Sequence, residues 1–176
     1  MQPAQYNPAD DGITHINVYS NGKTELGRKL SHFNHAPWDT ADDRFDCFEG
    51  WWFWQLAGAS GNQMSLFGTP DREKLRTMTG REAKKYGTEI VGPKRDWPDS
   101  VNLPWFQAKY KDAAKAKLQQ HPDLAQQLET SSLPLVHYYV VAERNGEPIV
   151  NSDQRGHWIM EVWEDFRHKL QNNMPL

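Results

Sequence analysis

Residues 46–56 read Asp46-Cys-Phe-Glu-Gly-Trp-Trp-Phe-Trp-Gln-Leu56 and hold three of the eight tryptophans of the chain. Phe48, Trp52 and Leu56 recur at four-residue intervals, which predicts one apolar face of a helix. Asp46 stands where an N-cap carboxylate accepts the first free N–H groups, and Glu49 follows three residues later, as in a capping box. Because indoles are large and need packed faces, we expect this central helix to be buried or to line a pocket.

Glu49 has two interpretations at this stage. In the first, it is a capping carboxylate that stays solvated at the start of the helix. In the second, it stands beside indoles in a cleft, where loss of water and a cationic transition state would make it catalytic. The local spacing leaves both interpretations open.

Length and composition predict one folded domain of the α+β class, mostly α-helical with a small β-sheet. The chain has 176 residues, which suits a single hydrophobic core, and residues 1–12 are expected to form a flexible lead-in to a domain spanning 13–176. The single cysteine, Cys47, cannot form an internal disulfide, and no apolar run reaches membrane length. We therefore expect a cytoplasmic protein.

The charge of the chain is unevenly distributed. The net charge of -3 argues against a protein held on nucleic acid by bulk electrostatics. Residues 81–117, however, carry nine Lys or Arg against five Asp or Glu. This segment is either a face that meets phosphates or a solvated lysine-rich surface.

Periodicity and turn residues predict the remaining elements. Strands are expected at residues 13–19 and 133–142, with a hairpin at Asn145-Gly146. Helices are expected from Thr69-Pro70 through Met78, at 81–86 ending before Gly87, at 106–120, from His121-Pro122 through Leu128, and at 158–170. Residues 22–33 show neither the helical nor the strand period and are expected to be a loop.

No common catalytic or metal-binding motif is present. The seven histidines are scattered, and His32 and His35 lack a neighbouring cysteine or a repeated carboxylate, so we expect no metal and no other cofactor. A Gly-x-Ser-x-Gly elbow is absent, which argues against acyl-transfer hydrolysis.

Seven short segments, in their order and spacing, resemble the NADAR domain family of YbiA-like N-glycosidases. They are Ile16-Asn-Val-Tyr-Ser20, Gly22-Lys-Thr-Glu-Leu-Gly27, Leu30-Ser-His-Phe33, Phe48-Glu-Gly50, Glu82-Ala-Lys-Lys-Tyr-Gly87, Ala116-Lys-Leu-Gln-Gln-His-Pro-Asp-Leu124 and Leu135-Val-His137. The second segment and the tryptophan-rich helix are most similar to the branch that contains antitoxins of DNA ADP-ribosyltransferases and orphan phage proteins.

The resemblance implies a hydrolase that removes ADP-ribose from guanine in DNA. Such a phage protein would oppose a DNA ADP-ribosyltransferase toxin in the host cytoplasm without necessarily binding that toxin. Three alternatives remain: an N-glycosidase acting on riboflavin-pathway intermediates, a non-catalytic binder of ADP-ribose or a modified base, and a structural protein.

The resemblance, together with the groups that this chemistry needs, also implies the site residues. The catalytic residues are Glu49 and Asp153, and the substrate-binding residues are Tyr19, Arg28, Ser31, Phe33, Trp52, Lys84, Lys85, Trp97 and Trp158. Trp105 is the alternative to Trp97, and Arg95 is a further candidate for contacting the pyrophosphate.

This chain departs from the family pattern at three points. Leu56 stands where the family has a lysine linked to a Schiff-base mechanism, and Thr88 stands where an arginine often follows the glycine. The Asp-x-Trp-Gly motif is missing, and Asp153 and Trp158 are its imperfect substitutes. The candidate replacements for the missing lysine are Lys23, Lys29, Lys84 and Lys85. We favour hydrolysis by water without an imine, with Glu49 stabilising the cationic sugar carbon.

Overall fold

The structure, a computed structural model, describes residues 6–58, 70–92, 104–152 and 157–176. These residues are α+β and mostly helical, with short strands in three pairs, so the predicted fold class is confirmed at this level. The chain divides into two compact units. We call Met1–Ser31 with His121–Leu176 the terminal unit, and His32–Gln120 the central unit. Among the described helices, none combines the length and apolarity needed to cross a membrane.

The terminal unit contains three helices and two strand pairs among its described residues. The helices are α1 (Glu25–Leu30), α6 (Pro122–Thr130) and α7 (His157–Gln171). Strand β1 (Ile16–Asn17) pairs in parallel with β4 (Leu135–Val136), and β5 (Tyr139–Arg144) pairs antiparallel with β6 (Glu147–Asn151).

The expected loop at residues 22–33 is wrong, because α1 lies within it. The Thr24 hydroxyl accepts a hydrogen bond from the Gly27 N–H at 3.0 Å and so caps the first turn. Leu26 and Leu30, four residues apart, are both buried. One short helix of this kind carries too few periods to be recognised by pattern alone.

The predicted hairpin is confirmed. Asn145 and Gly146 have φ values of 54° and 80°, the left-handed conformations that a two-residue hairpin turn requires. The single strand expected at residues 133–142 is instead two strands, β4 and the start of β5, which pair with different partners.

The central unit is built around α2 (Phe48–Gly58), in which every residue is buried. The other elements are the pair β2 (Trp38–Asp39) and β3 (Arg44–Phe45), α3 (Pro70–Lys74), α4 (Gly80–Val91) and α5 (Pro104–Gln120). The predicted burial of the tryptophan-rich helix is therefore confirmed.

Helix α4 continues through Gly87, where the sequence pattern predicts its end. A Cβ atom at Gly87 would lie 2.1 Å from Cγ of Phe53 on α2. This glycine is therefore needed for close packing of two helices. Helix α4 ends instead at Val91, and Gly92, with a φ of 90°, is its C-cap.

The predicted capping box at the start of α2 is wrong. The helix begins at Phe48, and the Glu49 N–H donates to the His32 carbonyl at 3.0 Å. The Gly50 N–H lies 3.4 Å from the Cys47 sulfur. Because a distant carbonyl and a thiol satisfy these donors, the Glu49 side chain is left for other contacts.

Candidate active site

Glu49 carries a buried carboxylate with two basic neighbours. Its residue is 6% exposed, although it is only the second residue of α2. The Lys84 Nζ atom lies 3.2 Å from Oε1, and the His32 Nδ1 atom lies 3.5 Å from Oε2. Lys84 reaches this carboxylate from the surface, since its side chain is half-exposed.

The environment of Glu49 favours the ionised form. Burial raises the pKa of this carboxyl, but a hydrogen bond from His32 and the charge of Lys84 outweigh it, so the pKa lies below its ordinary value. A carboxylate held ionised away from water can stabilise a positive charge that develops next to it. It is poorly suited to act as a general acid at neutral pH.

His32 is fixed by an aromatic wall. Its Nε2 atom lies 3.2 Å from the Tyr110 hydroxyl, and its ring stacks on Phe48 with centroids 5.5 Å apart and an angle of 25°. The Trp52 ring centroid lies 5.5 Å from that of His32. With Nδ1 protonated, the imidazole donates to Glu49 and can accept a hydrogen bond from the Tyr110 hydroxyl.

Glycine positions on α4 bring Lys84 to Glu49. Gly80, Lys84 and Gly87 are spaced by four and three residues and share one helix face. A Cβ atom at Gly80 would lie 2.3 Å from Cα of Phe33, just as Gly87 meets Phe53. The absence of side chains at both glycines lets α4 approach closely enough for Lys84 to span the remaining gap.

The central unit therefore brings together several of the residues predicted from the sequence. Glu49 and Lys84 are in direct contact, and Trp52 shares the His32 contact with Glu49. Phe33 packs against the first residue of α4, and Lys85 is exposed on the same helix.

Other predicted site residues belong to the terminal unit. The Tyr19 ring packs edge-on against those of His137 and Tyr139, and Ser31 is buried at the end of α1. Arg28 donates through Nη1 to the carbonyl oxygens of Gly22 and Lys23. Trp158 is buried in α7. Three predicted positions, Asp153, Trp97 and Arg95, lie outside the described residues.

Two functional candidates were missed by sequence reasoning. His32 and Tyr110 are 78 positions apart, and no local period links either of them to Glu49. The available signal was the segment Leu30-Ser-His-Phe33, which is part of the family resemblance and contains His32.

Three of the four lysines considered for an imine, Lys23, Lys29 and Lys84, make other contacts in the structure. Leu56, at the family lysine position, is fully buried. Lys23 donates to the Ala9 carbonyl at 2.7 Å. A hydrogen bond to Glu25 raises the pKa of Lys29, and Asp123 adds a second acidic contact. Lys29 therefore stays charged, which disfavours nucleophilic attack by its amine.

The described residues contain no cluster of three or more His, Cys, Asp or Glu side chains that could hold a metal ion.

Comparison of the chain with protein-family models, curated proteins and solved structures finds no match. Function is accordingly inferred from the Glu49 geometry and from the sequence segments quoted above.

Proposed function

We propose that the protein is an N-glycosidase that releases ADP-ribose from guanine bases in DNA. The observation that supports this proposal is the buried Glu49 carboxylate, which Lys84 and His32 hold in its ionised form. Cleavage of a ribosyl C–N bond builds positive charge on the ribose C1 atom. A preorganised carboxylate removed from water is the group that stabilises such charge most strongly.

Lys84 connects substrate binding to this chemistry. In the free protein its Nζ atom lies 3.2 Å from Oε1 of Glu49, so its ammonium is the positive charge beside that carboxylate. Because its side chain is half-exposed, it can turn towards the pyrophosphate of an arriving substrate. That movement would leave the carboxylate free to face the ribose C1 atom.

The reaction then needs no covalent intermediate. Water adds its oxygen to C1 while the C–N bond breaks, the guanine leaves with the bonding electrons, and the proton that the water loses ends on the guanine nitrogen. Glu49 accepts a hydrogen bond from the attacking water and offsets the charge at C1. His32 keeps the Glu49 carboxylate oriented, because its own ring is fixed by Tyr110 and Phe48.

The biological role that accords with this activity is reversal of DNA ADP-ribosylation. A phage protein of this kind would erase the product of a host DNA ADP-ribosyltransferase toxin, acting on the modified DNA instead of on the toxin. The fold that the proposal implies is that of the NADAR family.

A non-catalytic binder of ADP-ribose or a modified base is the second candidate. Two observations favour it: the Glu49 carboxylate has both a lysine and a histidine beside it, and Leu56 is buried in place of the family lysine. An ion pair of this kind can hold a fold together without taking part in catalysis. Turnover distinguishes the two candidates, since a binder retains its ligand unchanged.

The test is release of ADP-ribose from an oligonucleotide that carries ADP-ribosyl-guanine, measured alongside small-molecule glycosides that include riboflavin-pathway intermediates. We expect release from the oligonucleotide, with Lys84→Met weakening substrate binding more than Lys85→Met. Release only from the small glycosides would move the proposal to that substrate class. Tight binding of every ribosylated compound without release would show a binding protein.

A further inference from the structure

Lys117 on α5 is the most unusual charged residue of the central unit. It is 1% exposed, and no described residue accepts a hydrogen bond from its Nζ atom. The ammonium instead lies 5.1 Å from the ring centroid of Trp38 and 5.0 Å from that of Phe48. Cation–π contact with these two rings is its principal favourable interaction.

A buried lysine without a hydrogen-bond acceptor lowers the stability of the folded protein. Burial without an acceptor disfavours the ammonium and lowers the pKa of Lys117 to about 8. A methionine of similar length would fill the same space without a charge. Residues that lower stability in this way are expected at sites where function requires them.

The Phe48 ring links Lys117 to the candidate active site. Phe48, which receives the Lys117 ammonium at 5.0 Å, also stacks on His32 at 5.5 Å. His32 in turn lies 3.5 Å from the Glu49 carboxylate. The ammonium is therefore one aromatic ring away from the imidazole that orients Glu49.

We propose that Lys117 is a positioning residue for Glu49, which it affects indirectly by holding the Phe48 ring against His32. Being buried, it does not contact the substrate. Where turnover is the readout, this inference rests on the proposed function. The titration of the Glu49 carboxyl tests it independently of any substrate.

The charged groups around this path are few among the described residues. Cys47, buried beside the start of α2, interacts electrostatically with both Lys117 and Glu49. Burial raises the pKa of the Cys47 thiol to about 11, so it stays neutral. Glu49 additionally faces His32 and Lys84. Lys117→Met should therefore change the titration of Glu49 through Phe48 and His32.

The experiment compares Lys117→Met with Lys115→Met, a half-buried lysine of the same helix. The carboxyl of Glu49 is followed by carbon NMR during a pH titration in both variants. We expect its midpoint to move to higher pH in Lys117→Met and to stay unchanged in Lys115→Met. The reason is that loss of the Lys117 contact with Phe48 loosens His32, whose hydrogen bond lowers the pKa of Glu49.

Turnover gives the second readout. Lys117→Met should stay folded but release ADP-ribose roughly tenfold or more slowly at neutral pH, since small misplacements of catalytic groups are amplified in rate. The wild-type rate should fall as pH rises above about 8, where Lys117 loses its proton, and the variant should lack that alkaline fall.

Three results would overturn the positioning role. One is an unchanged Glu49 titration in Lys117→Met, and another is wild-type turnover with a wild-type pH profile. The third is a borohydride-trapped sugar adduct on Lys117, which would show direct chemistry by its amine. Absence of turnover in the wild-type protein would contradict the proposed function alone and leave the NMR result to decide about Lys117.

Discussion

At the residue scale, Glu49 decides whether the central unit is catalytic. Replacing it by glutamine keeps the shape and removes the negative charge, so we expect Glu49→Gln to lose turnover by at least about a hundredfold. Affinity for the product, ADP-ribose, should be retained. The comparison needs rate measurements and calorimetric titration of the product, with Glu89→Gln on the exposed face of α4 as the control.

An active Glu49→Gln protein would return this residue to a structural role. In that case its contacts with Lys84 and His32 would serve only to hold the start of α2 against α4. Loss of folding in the variant would be visible by circular dichroism and would separate instability from lost chemistry.

Lys117 gives a stability prediction with a defined pH dependence. Its folded-state pKa of about 8 lies below the ordinary 10.5, so between these values the unfolded chain binds more protons and stability rises with pH. Lys117→Met should therefore raise the free energy of unfolding by about 3 kcal/mol at pH 7. The gain should shrink above pH 8 and vanish near 10.5.

The measurement is urea unfolding of wild type, Lys117→Met and Lys115→Met at several pH values. The control should differ less from wild type than Lys117→Met does, because Lys115 is only partly buried. A Lys117→Met protein that is less stable at pH 7 would show that the ammonium contributes net stabilisation through its two rings.

At the element scale, the packing of α2 on α4 depends on Gly87. Gly87→Ala places a Cβ atom 2.1 Å from Cγ of Phe53, so we expect a loss of about 1–3 kcal/mol in the free energy of unfolding. The loss should occur although alanine favours helix over glycine by about 1 kcal/mol. Thermal unfolding of Gly87→Ala tests this loss, with Glu89→Ala, at an exposed position of the same helix, as the control. A stabilised Gly87→Ala protein would contradict the close packing.

The elements that the sequence predicts well are those with strong local signals. The helix α2 and the Asn145-Gly146 turn depend on signals within a few residues and appear in the structure, although α2 is buried on every side and not on one face alone. Helix α1 and the continuation of α4 past Gly87 were missed for different reasons. A six-residue helix has little periodicity, and the reason for a glycine inside a helix lies on another helix, at Phe53.

The residues of the candidate site also fall into two groups, those that the sequence predicts and those that it does not. Glu49, Lys84 and Trp52 could be selected from the sequence segments, and the central unit places all three around His32 or the carboxylate itself. Tyr110 and Lys117 could not be selected, because each acts through contacts with residues more than 60 positions away. The capping box failed for the same reason, since the His32 carbonyl takes the Glu49 N–H.

At the scale of the whole molecule, the charge distribution predicts how binding to DNA responds to salt. The chain carries a net charge of -3, yet residues 81–117 have an excess of four positive charges. If this segment contacts phosphates, affinity for an ADP-ribosylated oligonucleotide should fall as salt rises. Lys84→Met and Lys85→Met should each reduce the slope of log affinity against log salt by about 1.

Filter-binding titrations at several salt concentrations measure this slope. Lys29→Met is the matched control, because Lys29 is already engaged by Glu25 and Asp123 in the terminal unit. A slope near zero for wild type would indicate recognition of a small ligand and would favour the metabolite alternative.

The water mechanism predicts that no covalent sugar adduct forms. Lys84 faces the Glu49 carboxylate in the free protein and the pyrophosphate in the proposed complex, and Lys29 is held charged by acidic partners. Borohydride added during turnover should therefore trap no protein–ribose species detectable by mass spectrometry. A trapped adduct mapped to any lysine would refute hydrolysis by water and establish an imine route.

The central claim is that Glu49 drives cleavage of the ribosyl–guanine bond, and the most direct test follows both products of that cleavage. Wild type and Glu49→Gln are each mixed in excess with an oligonucleotide that carries one ADP-ribosyl-guanine, and free ADP-ribose and restored guanine are quantified over time. We expect equal amounts of the two products with wild type, and a rate lower by at least about a hundredfold with the variant. Absence of both products with wild type, or equal rates for the two proteins, would contradict it.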